Sequence, residues 1–337
     1  MKFGRILRDS PDGGIARLVL VEPEKSRVID LARAAALYYQ KKNHATEDAA
    51  RNLAVAAFPG SMVAAISSGD FLKHHAAEVS ETAGDDASLD IDSVKWLPAS
   101  DCLALRDGLN FLGHIKGWTE KMGRTIPDAM ERRIPYSNNG TSVLLGHQDV
   151  VPWPEYLKRM DYELELGWVI GRRATNLVPE TAMDCLFGVT MYNDFSGRDL
   201  MVDELAIGMG ATKSKQFGHG IGPWITTIDE FDDLYSIPMR ARLNGKTVAE
   251  GNSGGQLWNI EEVLAFVSLG EYLQPGDVIG SGTMGGGSAL ELDIWLKPGD
   301  VIEIEADGVG TLRNTFGELT TDLWWPEPKN GVLIPQD

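Results

Sequence analysis

The sequence predicts an α+β, mainly β protein: a small α/β N-terminal domain over residues 1–95, then a β-rich roll, sandwich or barrel over 96–337. Two patterns carry this expectation. Ahead of residue 95 a strand is followed by helices, whereas beyond it short apolar segments alternate with Gly, Pro and Asn turns. The chain's 37 glycines in 337 residues, without low complexity, suit many tight turns between short strands.

In chain order, residues 15–22 (IARLVLVE) read as a strand, 29–42 as an amphipathic helix and 47–58 as an Ala-rich helix. The acidic passage 80–93 (SETAGDDASLDIDS) lacks periodicity and reads as a surface connection, so a boundary is placed near residue 95. Within 239–249, Asn244-Gly245 separates two alternating segments, a strong hairpin signal. The heptapeptide Leu-x-Pro-Gly-Asp-Val-Ile occurs at 273–279 and again at 296–302, each copy a turn feeding a strand. Asn259 with Glu262 forms a capping-box start for a helix over EEVLAFVSLGEYL.

The charge balance, 31 Lys+Arg against 49 Asp+Glu, is −18 and argues against a nucleic-acid partner, which would require a concentrated basic face. A hydrophobic fraction of 43% and a charged fraction of 24% are those of a globular protein. Cys102 and Cys185 cannot build a disulfide framework and read as buried thiols in a reducing compartment. The N-terminus carries Arg8 and Asp9 before any apolar stretch, and no apolar run reaches the ~18 residues of a membrane span. A cytoplasmic protein without membrane attachment is expected.

The segment 161–171 (DYELELGWVIG) is the most informative. In a strand, Glu163 and Glu165 share one face while Tyr162, Leu164, Leu166 and Trp168 share the other. Two carboxylates on one face are either solvated or bind a cation. A second apolar run, 187–199 (FGVTMYNDFSGRD), ends in Asp194 and Arg198; Asp194 beside the glutamates would complete a set of hard oxygen ligands suited to Mg²⁺, Ca²⁺ or Mn²⁺. No His/Cys spacing suits zinc. Gly280-Ser-Gly282-Thr-Met-Gly285 satisfies G-x-G-x-x-G, yet it runs into SALELDIWL, read as a second strand, and does not open a helix, so a dinucleotide site is rejected.

The ordered set DYELELGWVIG, NDFSGRD, Lys213-Ser214, Gly222-Pro223-Trp224, Asn244-Gly245, Pro275-Gly276-Asp277-Val278, Gly282-Thr283 and the second Pro-Gly-Asp-Val resembles the fumarylacetoacetate hydrolase superfamily over residues 100–317. Asp107 and His114 in RDGLNFLGH, and Thr283 leading to Glu291, resemble the fumarylacetoacetase-type catalytic set in particular. The resemblance implies a mixed β-sandwich roll as the catalytic domain, a homodimer, and a divalent cation, Mg²⁺ as first choice, held by Asp107, Glu163, Glu165 and Asp194. It further implies that Glu291 orients His114 as the base activating water, with Lys213 and Arg198 facing the oxyanion.

Departures bear on the substrate. Where the family carries a Tyr and a Gln this chain has Leu109 and Met201, and the family's substrate arginine falls on Gly123, with Arg124 adjacent. Tyr136 and Thr283 resemble substrate-facing residues of the family. The expected activity is hydrolysis of a carbon-carbon bond in a β-diketone or acylpyruvate-like acid, of fumarylacetoacetate or fumarylpyruvate type, in aromatic or amino-acid catabolism. The alternative is an isomerase, tautomerase or decarboxylase of a related 2-oxo acid, of 2-hydroxyhepta-2,4-diene-1,7-dioate or oxaloacetate type. Trp324-Trp325 reads as a candidate dimer contact or as intradomain packing, and residues 118–133 as a cover over the site or an ordinary surface helix.

Overall fold

A computed structural model describes residues 1–11 and 13–329 and shows a mixed α+β fold, with an N-terminal α/β region and a β-sandwich catalytic domain. The larger sheet runs from an edge at Ser88–Asp90 through Arg27–Asp30, Gly13–Glu22, Lys2–Ser10, His219–Thr227, Leu186–Asn193, Glu165–Ile170, Val278–Gly280 and Leu105–Gly108 to Tyr136–Asn139. A second sheet orders Lys246–Asn252, Pro238–Leu243, Val301–Ala306, Gly310–Thr320 and Val150–Pro154.

The N-terminal strands continue the larger sheet: Phe3 pairs with Ile225, and Gly4 with Trp224. The composition change near residue 95 therefore does not separate two sheets. Residues 80–93 also depart from the expected connection, because helix Asp70–Ala83 claims their start and Ser88–Asp90 pairs with Arg27–Ile29. Edge strands need few apolar residues, so this one left little periodic signal.

Central strands are buried on both faces and serve two cores. Leu166, Trp168 and Met191 pack between the sheets with Ile302, Ile304, Leu312 and Phe316. Val169, Tyr192, Ile221 and Ile225 face the other way, onto Leu31, Phe58, Met62 and Val79 of the N-terminal helices. The helices Leu31–Asn43 and Glu47–Ala57 start at Asp30 and Thr46, whose side chains accept the N–H groups of Arg33 and Ala49. Ala32, Ala34, Ala35, Ala50 and Ala54 present small buried faces, which allows close helix packing.

Local signals in the catalytic domain have direct counterparts. Asn244 and Gly245 both take positive φ (51° and 78°), as a type I′ hairpin turn requires. In each Pro-Gly-Asp-Val turn the Asp closes the loop on the backbone three residues earlier: Asp277 accepts from Gln274 N at 3.0 Å and Asp300 from Lys297 N at 2.7 Å. Helix Ile260–Val267 carries the complete Asn259/Glu262 capping box. The run SALELDIWL is not a strand. Asp161 accepts the N–H groups of Ala289 and Leu290, and Asp293 adopts φ +55°, which together fold the segment into turns.

His147 gives the fold a pH dependence. Its Nδ1 accepts from Arg313 N at 3.2 Å, and burial together with the Arg313 charge depresses its pKa to about 4. The neutral ring stabilises the fold fully above the ordinary value near 6.5, and that contribution is lost as pH falls from there through 4. Urea melts of the wild type should lose up to roughly 3 kcal/mol more stability between pH 7 and 4 than those of His147→Asn. Parallel pH profiles for the two proteins would refute this.

Candidate active site

Strand register assembles the site. Asp107 lies opposite Gly280, and Gly280 opposite Gly167, on neighbouring strands. A Cβ at Gly280 would lie 2.8 Å from Asp107 Oδ1 and 2.7 Å from the Tyr192 ring, so only glycine lets the carboxylate and the ring cross this strand. Glu165 opens the adjacent strand Glu165–Ile170 and Glu163 lies just ahead of it, bridged to Ser288; both are buried, which excludes the solvated-face reading. Glu165 accepts from Gly282 N and from Thr283 Oγ1, each at 3.0 Å. Gly282 has φ +83°, so the glycine-rich loop wraps a carboxylate rather than a nucleotide.

Oxygens of Asp107, Glu163 and Glu165 lie within 4.8 Å of one another. Burial, reinforced by neighbouring carboxylates, pushes Asp107 and Glu165 well above their ordinary pKa values. Burial also opposes charge on Glu163, but Lys215 and Arg198 outweigh it and hold this group at about 2. Asp107 Oδ1 is buried and accepts no hydrogen bond among the described residues. An unpartnered hard oxygen amid clustered carboxylates fits a divalent cation, and these three residues form a group able to hold one.

Asp194 is in the same cluster but has other partners: its Oδ2 accepts from Lys215 Nζ, and its Oδ1 pairs with His219 Nδ1 at 2.9 Å and accepts from Asn139 Nδ2 at 3.3 Å. Against the cost of burial, Lys215 and His219 hold Asp194 well below the usual carboxylate range. Arg198 bridges Asp161 and Glu163 at 2.7 and 2.6 Å.

Helix Leu112–Lys121 places His114 over the cluster. Its Nδ1 lies 2.7 Å from Glu291 Oε2, while Nε2 faces Glu163 Oε1 at 3.6 Å. Glu291 accepts further bonds from Gly286 N and Ser288 Oγ at 3.0 and 2.9 Å, and its pairing with His114 helps keep it ionised despite burial. Glu291 therefore accepts a hydrogen bond from Nδ1–H, which leaves Nε2 as the exchangeable position. A cavity of about 230 Å³ opens here, lined by Asp107, His114, Glu163, Arg198, Lys215 and Thr283. Leu109, Trp118, Tyr136 and Met201 also line it.

Two expected residues lie elsewhere. Lys213 is exposed, with its ammonium 5.5 Å from the centre of the Tyr156 ring, and the lysine at the cluster is Lys215. The cause is a turn in which Lys215 N donates to Thr212 O, so the two lysines of Lys-Ser-Lys point apart. Glu204 fixes that turn by accepting from the N–H groups of Thr212 and Lys213 and from Ser214 Oγ. Arg124 is exposed just beyond helix Leu112–Lys121 and does not line the cavity. Tyr136 lines it, with its hydroxyl 3.4 Å from Glu271 Oε1. Residues 118–133 combine the end of that helix with a short 3₁₀ turn at Asp128–Glu131; Trp118 reaches the cavity. Trp325 stacks on Tyr156 at 4.8 Å, whereas Trp324 is 84% exposed.

Sequence reading did not select Asp161, Asn139, Tyr192 or His219. Asp161 opens the DYELELG run and was the most accessible omission. No helix among the described residues is long and apolar enough to cross a membrane.

Fold and site together give a β-sandwich protein with a buried carboxylate cluster able to hold a divalent cation. Residues 104–317 match the fumarylacetoacetate (FAA) hydrolase C-terminal family, and the chain belongs to it. The oxaloacetate tautomerase YisK of Bacillus subtilis is 29% identical over 77% of this chain and 87% of its own length. The mitochondrial oxaloacetate tautomerase fahd2 of Xenopus laevis is 30% identical over 61% of this chain and 63% of its own. The fold matches a fumarylacetoacetate hydrolase from Exiguobacterium antarcticum with TM-score 0.69, 24% identity and coverage of 94% and 99% of the two chains. It also matches a Sphingobium maleylpyruvate hydrolase solved with manganese(II) and pyruvate, with TM-score 0.66, 21% identity and coverage of 94% and 100%.

Proposed function

We propose that this protein is a divalent-metal-dependent enzyme that interconverts enol and keto forms of a 2-oxo acid, a tautomerase or isomerase. The observation that carries it is the His114–Glu291 pair, whose exchangeable Nε2 faces the buried carboxylate cluster inside the cavity. The relatives named as oxaloacetate tautomerases support this class over the hydrolase that the sequence resemblance implies.

Asp107, Glu163 and Glu165 would hold the cation, with Asp194 as a fourth carboxylate beside them. When bound, a divalent cation draws electron density from the oxygens of a 2-oxo acid and acidifies the adjacent C3. His114 Nε2 removes the C3 proton, the C–H electron pair becomes the C2–C3 π bond, and the charge passes to the C2 oxygen. Water protonating that oxygen completes the enol; in the reverse direction the enol oxygen loses its proton to water and the protonated His114 Nε2 delivers one to C3, which gives the ketone. Lys215 and Arg198 supply fixed positive charge beside the developing oxyanion. Glu291 holds the ring and stabilises it when protonated.

Hydrolysis is the second reading, favoured by the same histidine, which is equally placed to deprotonate a water. Loss of enol absorbance across oxaloacetate, phenylpyruvate and fumarylpyruvate, followed by product analysis, separates the two. Tautomerisation gives one ketone and stops on chelation; two acids from one substrate would establish hydrolysis. Chelator-insensitive behaviour with every substrate would reject both.

A further inference from the structure

We infer that the substrate is a 2-oxo acid with an apolar alkyl or aryl group at its distal end instead of a second carboxylate. This rests on the proposed 2-oxo acid chemistry for the identity of the head group, and on the cavity for the rest. Besides its charged and polar residues the cavity is lined by Leu109, Trp118, Pro135, Met201, Leu205 and Ala211.

Among the described residues the only Lys and Arg side chains that line it are Arg198 and Lys215, and both are already engaged. Arg198 is held between Asp161 and Glu163, and Lys215 by Glu163 and Asp194. Both also lie at the carboxylate end, where the 2-oxo acid head would sit. Asp107, Asp161, Glu163, Glu165, Asp194 and Glu291 outnumber these cations, and a divalent ion would not reverse that excess. A distal carboxylate would therefore lose water against an apolar wall with no cation to meet it, among the described residues. An alkyl or aryl group would gain from the same wall.

Binding of unreactive head-group mimics tests the pocket without requiring turnover. Calorimetric titration of the Mg²⁺-loaded protein with N-benzyloxamate and N-(carboxymethyl)oxamate should show the benzyl compound binding at least about tenfold tighter, within the ~10–200-fold that apolar pocket contacts provide. Leu109→Arg should shift the ratio at least about tenfold toward the carboxylated compound. Leu205→Arg serves the same purpose should the first variant fail to fold, as judged by its thermal transition. Equal or tighter binding of N-(carboxymethyl)oxamate to the wild type, or binding of neither compound, overturns the inference. Deuterium exchange at C3 of phenylpyruvate in the same preparation is the separate check on chemistry: tight benzyloxamate binding without exchange upholds the pocket and rejects the tautomerase reading.

Discussion

His114→Gln will lower kcat/KM for enol–keto exchange by about 10²–10⁴-fold, the usual contribution of a positioned general acid-base. Glutamine keeps a polar side chain near Glu291 but cannot carry a proton at neutral pH. The oxygens able to hold a cation come from Asp107, Glu163 and Glu165, so the rise in thermal midpoint expected with Mg²⁺ should survive in this variant. That pairing separates lost proton transfer from lost assembly. Glu291→Gln should fall between wild type and His114→Gln, because the histidine remains but its Nδ1 loses the anionic partner at 2.7 Å. Stopped-flow ketonisation rates decide the matter, and wild-type turnover by His114→Gln would remove His114 from the mechanism.

Glu163→Gln and Glu165→Gln should move stability in opposite directions while both abolish stabilisation by metal. Glu163 holds two buried cations, with Arg198 at 2.6 Å and Lys215 at 2.7 Å. Removing its charge leaves both with one fewer anion, and breaking such a buried pair costs about 3–5 kcal/mol. Arg198 retains Asp161 and Lys215 retains Asp194, which places the expected loss at the lower end of that range. Glu165 has no cation within ion-pair distance among the described residues, and neighbouring negative charge reinforces burial in raising its pKa. Neutralising it relieves repulsion, and the amide oxygen can still accept from Gly282 N or Thr283 Oγ1. The metal-free Glu165→Gln protein should therefore match or exceed the wild type by up to ~1 kcal/mol. Wild-type protein at a hundredfold excess of Mg²⁺ over Kd gains about 2.7 kcal/mol, which both variants should lose. Urea melts with Mg²⁺ and with chelator measure all four quantities. Equal destabilisation by the two substitutions would show that the cations do not distinguish the glutamates.

The sequence by itself determined what short-range physics controls. Asn244-Gly245 had to turn because both positions need positive φ, and Asn259 with Glu262 had to start a helix because each satisfies a free N–H of the other's backbone. Resemblance to one family also implied that Asp107, His114, Glu163, Glu165, Asp194 and Glu291 share one site, and the structure brings these six side chains together. Only tertiary structure decided which partners the side chains take. Lys213 and Lys215 are two residues apart and chemically identical, and a turn held by Glu204, a residue on another element, sends only the second inward. The apparent strand SALELDIWL became turns because Asp161, more than a hundred residues earlier, binds its backbone. The N-terminal region joined the main sheet through pairing across more than two hundred residues, between Phe3 and Ile225. Such contacts depend on the arrangement of distant surfaces, whereas local dihedral and hydrogen-bond requirements are written in neighbouring residues.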